Sequence, residues 1–337
     1  MTAADWDAVE MGDLRGETAV VTGANSGLGY EVAKQFAVHG ADVVLACRDI
    51  ERGTEAGERI RHVAPTARLT VIELDLADLS SIRAFAASFE DTHDELHYLC
   101  NNAGVMAVPR GETKDGFETQ FGVNHLGHFA LTGLLLGRLR ATDGETRVVT
   151  QTSGLHENGE IDFEDLQHED SYDEWDAYGR SKLANVLFAY ELQRRLRHAA
   201  RSAAERSSGE RSDPRDGVGI EDVTSVVTHP GYADTNLQRR GPEQFGSRPR
   251  RWTMTLANAV LAQPREMGAL PMLYAATADD IEGGEYVGPG GFQNMRGHPT
   301  KQASSDRSYD ETTAARLWGV SENLTGVRYE FDTLAEA

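Results

Sequence analysis

The sequence predicts an α/β protein: a single domain built on one doubly wound parallel sheet with helices on both faces. Three observations carry that prediction. Short runs rich in Val, Ile, Leu and Thr recur through the chain, helical stretches separate them, and the first run passes into its helix through a glycine-rich turn. Strands that alternate with helices argue for a parallel sheet covered on both faces. The 337 residues are within the range that one α/β domain spans.

The first strand is expected over Glu17–Val21, and the amphipathic stretch Tyr30–His39 is the helix that follows it. Between them stands Thr22-Gly23-Ala24-Asn25-Ser26-Gly27-Leu28-Gly29, a turn with the spacing of a dinucleotide cradle. Gly23 permits the tight turn, Gly27 a close approach of backbone to phosphate, and Gly29 close packing of the helix. The free N–H groups of the helix N-terminus then face the pyrophosphate. Ala41–Ala46 reads as the second strand, and its end selects between nicotinamide cofactors. A carboxylate there would bind a ribose 2′-hydroxyl, whereas an arginine accommodates a 2′-phosphate. The residues are Cys47 and Arg48, with Asp49 one position late and placed to face solvent or cap a turn, so NADP(H) is expected over NAD(H). The third strand, Leu69–Leu76, ends at Asp75 and Leu76, where the carboxylate can reach an adenine amino group. The fourth, Leu96–Cys100, runs into Asn101-Asn102-Ala103-Gly104, whose small residues leave room for the cofactor.

Farther on, Arg147–Gln151 is a strand that leads to Ser153, and Tyr178-Gly-Arg-Ser-Lys182 lies on a helix. The i, i+4 spacing puts Tyr178 and Lys182 on one helix face. A neighbouring ammonium favours the phenolate, so the tyrosine is expected to titrate below its ordinary value of about 10. Ser153 supplies a hydroxyl to hold a carbonyl or alcohol oxygen against the phenol. Thr152 is the alternative hydroxyl; the strand ending at Gln151 and the turn at Gly154 favour Ser153.

Together, Thr22-Gly-x-x-x-Gly27-x-Gly29, Asn101-Asn-Ala-Gly104, Asn124 in Val-Asn-His-Leu-Gly, Ser153, Tyr178-x-x-x-Lys182 and Pro230-Gly231 resemble the short-chain dehydrogenase/reductase superfamily. Val44–Asp49, Phe121–Phe129, Ser181–Leu187 and His229-Pro-Gly231 narrow the resemblance to its retinol dehydrogenase and protochlorophyllide reductase-like branch. The resemblance covers residues 14–291. It implies a Rossmann sheet with NADP(H) at its carboxyl edge and a catalytic set of Asn124, Ser153, Tyr178 and Lys182, in which Asn124 interrupts a helix and opens a proton relay. It also implies that Asn102, Ala103, Gly104, Tyr178, Lys182, Pro230, Gly231 and Thr235 line the cofactor, Thr235 touching the nicotinamide carboxamide. The expected reaction interconverts a carbonyl and an alcohol on an apolar substrate. Reduction of a carbon–carbon double bond, and a cofactor-binding regulator without turnover, are the alternatives.

Charge is the second informative property. Acidic side chains number 54 against 33 basic, a net charge of −21, and only Lys34, Lys114, Lys182 and Lys301 are lysines. Such a surface repels nucleic acid and anionic membranes, and its self-repulsion is screened by salt. The pattern is that of a protein adapted to a salt-rich cell interior, as in halophilic archaea. No segment approaches the ~20 apolar residues of a membrane span, and the N-terminus lacks the pattern of a signal peptide, so a cytoplasmic enzyme is expected, acting on a small molecule and open to homo-oligomer formation. Cys47 and Cys100 are expected as reduced thiols. His125 and His128 lack a third ligand at suitable spacing, and no metal is expected. Three segments complete the organisation: a polar insertion over 197–216 expected as a helix end and mobile loop, a region over 232–262 expected to close on the substrate, and a C-terminal extension over 292–337.

Overall fold

The computed structural model describes residues 6–207, 220, 222–232 and 263–331. Its centre is an eight-stranded sheet in the order β3-β2-β1-β4-β5-β6-β7-β8. The first six strands are β1 (Thr18–Thr22), β2 (Asp42–Cys47), β3 (Arg68–Glu73), β4 (Tyr98–Asn101), β5 (Thr146–Gln151) and β6 (Val223–Thr228), all parallel. β7 (Tyr286–Pro289) joins parallel to β6, and β8 (Pro299–Gln302) folds back antiparallel to β7. This last hairpin departs from the all-parallel expectation. Its strands are four residues each and hold Gly288, Pro289 and Pro299, so the sequence there looks like turn, and proline is tolerated because β8 is the sheet edge.

Helices α1 (Gly27–Val38), α2 (Ile50–Val63), α3 (Leu79–Glu90), α4 (Gly127–Ala141), α5 (Glu174–Ser207), α6 (Arg265–Thr277) and α7 (Glu311–Thr325) cover the sheet. Several start on a carboxylate that accepts from the first free backbone N–H groups: Asp49 from Arg52 N at 3.0 Å, Asp78 from Ser80 N at 2.8 Å, and Asp310 from Thr312 N at 3.0 Å. These caps satisfy donors that a helix cannot pair internally.

Alternation along β1 divides the core. Ala19 and Val21 face a cluster with Val32, Phe36, Leu270 and Leu273 of α1 and α6. Val20 faces the opposite cluster, with Phe85 of α3, Phe129 and Leu135 of α4, Phe188 and Leu192 of α5 and Trp318 of α7. Period-2 side-chain alternation makes a two-faced strand of this kind apolar throughout. The strand order reverses between β1 and β4, the switch point where ligands of open α/β sheets bind. The polar stretch expected to extend the helix past Arg197 does so through Ser207, within α5; residues 208–216 of that insertion lie outside the described residues.

Candidate active site

At the carboxyl end of β1 the chain turns through Gly23, φ +69°, and enters α1 at Gly27, φ +60°, conformations that favour glycine. The two later glycines differ in their surroundings. A Cβ on Gly27 would meet nothing within 4 Å, whereas one on Gly29 would lie 2.5 Å from Asn102 Nδ2 and 2.6 Å from the Gly23 carbonyl oxygen. Gly27 therefore keeps the space above the turn open, and Gly29 lets α1 press onto it. Ser26, extended at the head of α1, spends no side-chain bond on the helix, and Asn25, Ser26 and Gly27 line an open groove with Arg52 and Arg59 of α2. Leu28 is buried. Cys47 lies behind this turn, and burial pushes its thiol up to about 12, against the lowering effect of the Asn25 and Ala24 backbone.

Arg48, at the end of β2, is exposed and has no ion-pair partner among the described residues, while Asp49 is spent as the α2 cap. Asp75 follows β3; one of its carboxylate oxygens accepts from Ala77 N at 3.0 Å. Leu76 is buried against the start of α4, its carbonyl 2.7 Å from where a Cβ on Gly127 would stand. The exit of β4 is locked to the glycine turn: Asn102 Nδ2 donates to the Thr22 carbonyl at 2.8 Å, and the Asn102 and Ala103 amides each donate to Thr22 Oγ1 at 2.9 Å. Thr22 is fully buried, so its side chain organises the cradle from beneath and does not face the cleft.

Ser153 ends the β5 segment and Tyr178 and Lys182 come from the first turns of α5. The Ser153 hydroxyl lies near enough to the Tyr178 phenol to favour its ionised form, and Ser153 Oγ accepts from Leu155 N at 3.3 Å. Thr152 is different: buried, its hydroxyl donates to the Lys182 carbonyl at 2.7 Å. The packing of α5 thus takes Thr152 for itself and leaves Ser153 beside the phenol. Lys182 Nζ stands 5.7 Å from the Tyr178 ring centroid and donates to the Gln151 carbonyl at 3.3 Å. Asn124 occupies a π-helical turn, Gly122–Leu126, that leads into α4. Its Oδ1 accepts from Val105 N at 2.8 Å, and its Nδ2 donates to Val105 O and to Ser181 Oγ, both at 2.9 Å. Gly104 closes the group, since a Cβ there would lie 2.9 Å from Asn124 Oδ1 and 3.4 Å from Lys182 Nζ.

The electrostatics correct one expectation. Burial pushes the Tyr178 phenol up to about 12, against the opposing effect of the Ser153 hydroxyl, and burial brings Lys182 down to about 8. In the cofactor-free protein the phenol therefore lies above its ordinary value. The Lys182 ammonium is directed to a strand carbonyl, and desolvation is the dominant influence on the phenol.

Pro230 and Gly231 follow β6. Gly231, φ +62°, packs on the loop between β7 and β8, where a Cβ would lie 2.4 Å from Met295 O, and its N–H donates to His229 Nδ1 at 3.3 Å. Thr235 and the region expected to close on the substrate lie outside the described residues after Tyr232. One contribution was not read from the sequence. Arg52 and Arg59 reach the groove because α2 turns that face toward the glycine turn, and a helix face is visible only once its partner is known. His156, one turn beyond Ser153, is buried, with Nδ1 on the Ser153 carbonyl at 2.8 Å and Nε2 accepting from Ser305 N at 3.1 Å. Among the described residues no cluster of His, Cys, Asp or Glu could hold a metal ion, and no helix is long and apolar enough to cross a membrane.

A parallel sheet with this strand order and a glycine turn at its switch point defines a Rossmann-type fold. The chain belongs to the short-chain dehydrogenase family, whose sequence profile, described as short chain dehydrogenase, matches residues 17–200. Human retinol dehydrogenase 12 is 40% identical over 319 residues, covering 94% of this chain and 89% of its own. Mouse retinol dehydrogenase 14 is 38% identical over 328 residues, covering 94% and 88%. Among solved structures, an uncharacterized protein from Mycobacterium Paratuberculosis is 38% identical with a TM-score of 0.73, covering 96% of this chain and 99% of that one. The NADP complex of Pseudomonas aeruginosa RhlG, 20% identical with a TM-score of 0.59 and covering 81% and 94%, shares the fold.

Proposed function

We propose that the protein is an NADP(H)-dependent oxidoreductase that interconverts a carbonyl and an alcohol on an apolar substrate, with Tyr178 as proton donor and acceptor. The observation that carries this reading is the buried Tyr178 phenol, whose pKa the nearby Ser153 hydroxyl lowers and which lies one helical turn from Lys182. The cofactor fits the residues present. Gly27 leaves room for a phosphate above the α1 N-terminus, and Arg48, exposed and without an ion-pair partner among the described residues, suits a 2′-phosphate. The bound nicotinamide supplies the hydride for reduction or accepts it in oxidation.

The chain's own residues manage the proton and the oxygen. Ser153 holds the substrate oxygen beside the phenol. Tyr178, kept protonated by burial at neutral pH, donates its proton to that oxygen as it becomes an alkoxide, and the resulting phenolate is then stabilised by Ser153 and the Lys182 charge. Oxidation reverses the transfer. The identity with retinol dehydrogenases supports an apolar alcohol or aldehyde as substrate. The net charge of −21 supports a small-molecule partner over nucleic acid or an anionic surface, in a salt-rich cytoplasm.

The test is a panel of apolar aldehydes and ketones, retinal included, assayed in molar KCl by loss of reduced-nicotinamide absorbance. Turnover with NADPH in preference to NADH is expected. Tight cofactor binding without turnover on any carbonyl would sink the proposed reaction.

A further inference from the structure

We propose that His128 is a positioning residue that ties the nucleotide cradle to the π-helical turn beside Lys182, one ring nitrogen serving each. This rests on the functional reading above.

His128 is buried in the first turn of α4, between Thr22 of β1 and Asn124. Its Nδ1 lies 3.0 Å from the Asn124 carbonyl oxygen. A carbonyl only accepts, so Nδ1 carries the hydrogen, and in a neutral imidazole Nε2 is then an acceptor. That nitrogen stands 3.0 Å from Thr22 Oγ1. The Thr22 hydroxyl therefore donates to His128, its other acceptor, the Cys100 carbonyl, being farther at 3.3 Å. The same oxygen receives the Asn102 and Ala103 amides. Burial keeps the ring neutral down to about 4, opposed by the Asn124 bond and reinforced by the nearby Lys182 charge.

One rigid ring thus holds two structures. On the Nε2 side is the hydroxyl that pins the β4 exit against Gly23, where a Cβ would sit 3.1 Å from Ala103 Cβ. On the Nδ1 side is Asn124, whose Oδ1 flanks Gly104 together with Lys182 Nζ. The sequence shows His125 and His128 as a pair three apart, but their partners differ: His125 Nε2 meets Ser321 Oγ of α7 at 2.8 Å.

The two nitrogens can be removed separately. In His128→Asn the side-chain amide can still donate to Asn124 O but has nothing at the Nε2 position for Thr22. In His128→Gln the carboxamide oxygen can accept from Thr22, and the Asn124 carbonyl loses its donor. NADPH dissociation constants and kcat at saturating NADPH are measured for both against the wild type. For His128→Asn the loss in cofactor affinity, about tenfold for one unmade buried hydrogen bond, exceeds the loss in kcat. For His128→Gln the order reverses, with kcat falling more than affinity. Parallel losses in both variants, or lower thermal stability with neither parameter changed, overturn the proposal and leave His128 a packing residue. Should either variant not fold, nitrogen-15 NMR of the wild type reads the link directly: a protonated Nδ1 and an unprotonated Nε2 on His128 are expected, and the opposite tautomer overturns it. A wild-type protein that does not bind NADPH overturns the functional reading and this proposal together. A wild type that binds and turns over, with unsplit variants, overturns this proposal alone.

Discussion

Tyr178 and Ser153 come close to each other from different elements, and the consequence is directional at the scale of the single residue. A phenol held near 12 is an acid at neutral pH, so removal of its hydroxyl should leave NADPH binding intact while lowering kcat by roughly 10²–10⁴-fold. Tyr178→Phe, assayed at saturating cofactor, tests this; more than a tenth of wild-type kcat would place the proton donor elsewhere. Arg48 is the complementary case, a side chain whose value lies in having no partner in the described protein. Arg48→Ala should weaken NADPH far more than NADH, because only the former carries a 2′-phosphate for the guanidinium to clasp. Equal losses for the two cofactors, measured by fluorescence titration, would remove Arg48 from the site.

Two glycines only a residue apart act at the scale of the strand–turn–helix element, and the structure gives them opposite burdens. Gly29→Ala drives a methyl group to 2.6 Å from the Gly23 carbonyl. Backbone cannot yield as a side chain tip can, so overpacking of about 1–3 kcal/mol is expected, with a lower Tm and displaced α1. Gly27→Ala meets no atom within 4 Å and carries only the strain of its positive φ, about 1–2 kcal/mol. Its methyl group, however, stands in the phosphate space. The expected signature is a Gly27→Ala protein whose loss of NADPH affinity exceeds what its modest loss of stability explains, and a Gly29→Ala protein that is destabilised with α1 displaced. Calorimetry with and without NADPH separates them; a Gly27→Ala variant that binds normally would show the phosphate lying elsewhere.

Titration and surface charge act on the molecule as a whole. Burial holds His125 down at about 3 and His128 and His229 at about 4, so all three are neutral in the fold. Unfolded, each takes up a proton near pH 6.5. Between pH 6.5 and 4 the unfolded chain binds more protons than the folded one, so stability must fall as pH falls, by up to about 1.4 kcal/mol per pH unit for each histidine. Chemical denaturation from pH 7.5 to 5 checks this; a flat profile would mean the rings are not buried as described. The surface responds to salt instead. With a net charge of −21, Tm should rise as KCl goes from roughly 0.1 M to molar concentration, where the Debye length shortens to about 3 Å, and should do so without cofactor. A Tm that is flat or falls would remove the salt-adaptation reading.

Sequence was enough for whatever depends on neighbours along the chain. Gly23, Gly27 and Gly29 announce their turn because backbone conformation is local, and Tyr178 and Lys182 share a helix face because a helix repeats every 3.6 residues. Strands β1 to β5 were legible from their apolar or β-branched runs, the pattern of strands in a covered parallel sheet. Tertiary structure decided what depends on distant partners. It gave the Thr152 hydroxyl to the Lys182 carbonyl, and it raised Tyr178 where an isolated Tyr–Lys pair would be lowered, because desolvation is a property of everything packed around the ring. It made strands of Tyr286–Pro289 and Pro299–Gln302, whose glycine and prolines read as turn until an edge of sheet is there to receive them. His128 became a strut for the same reason: Thr22 stands 106 positions away in the chain and 3.0 Å away in space.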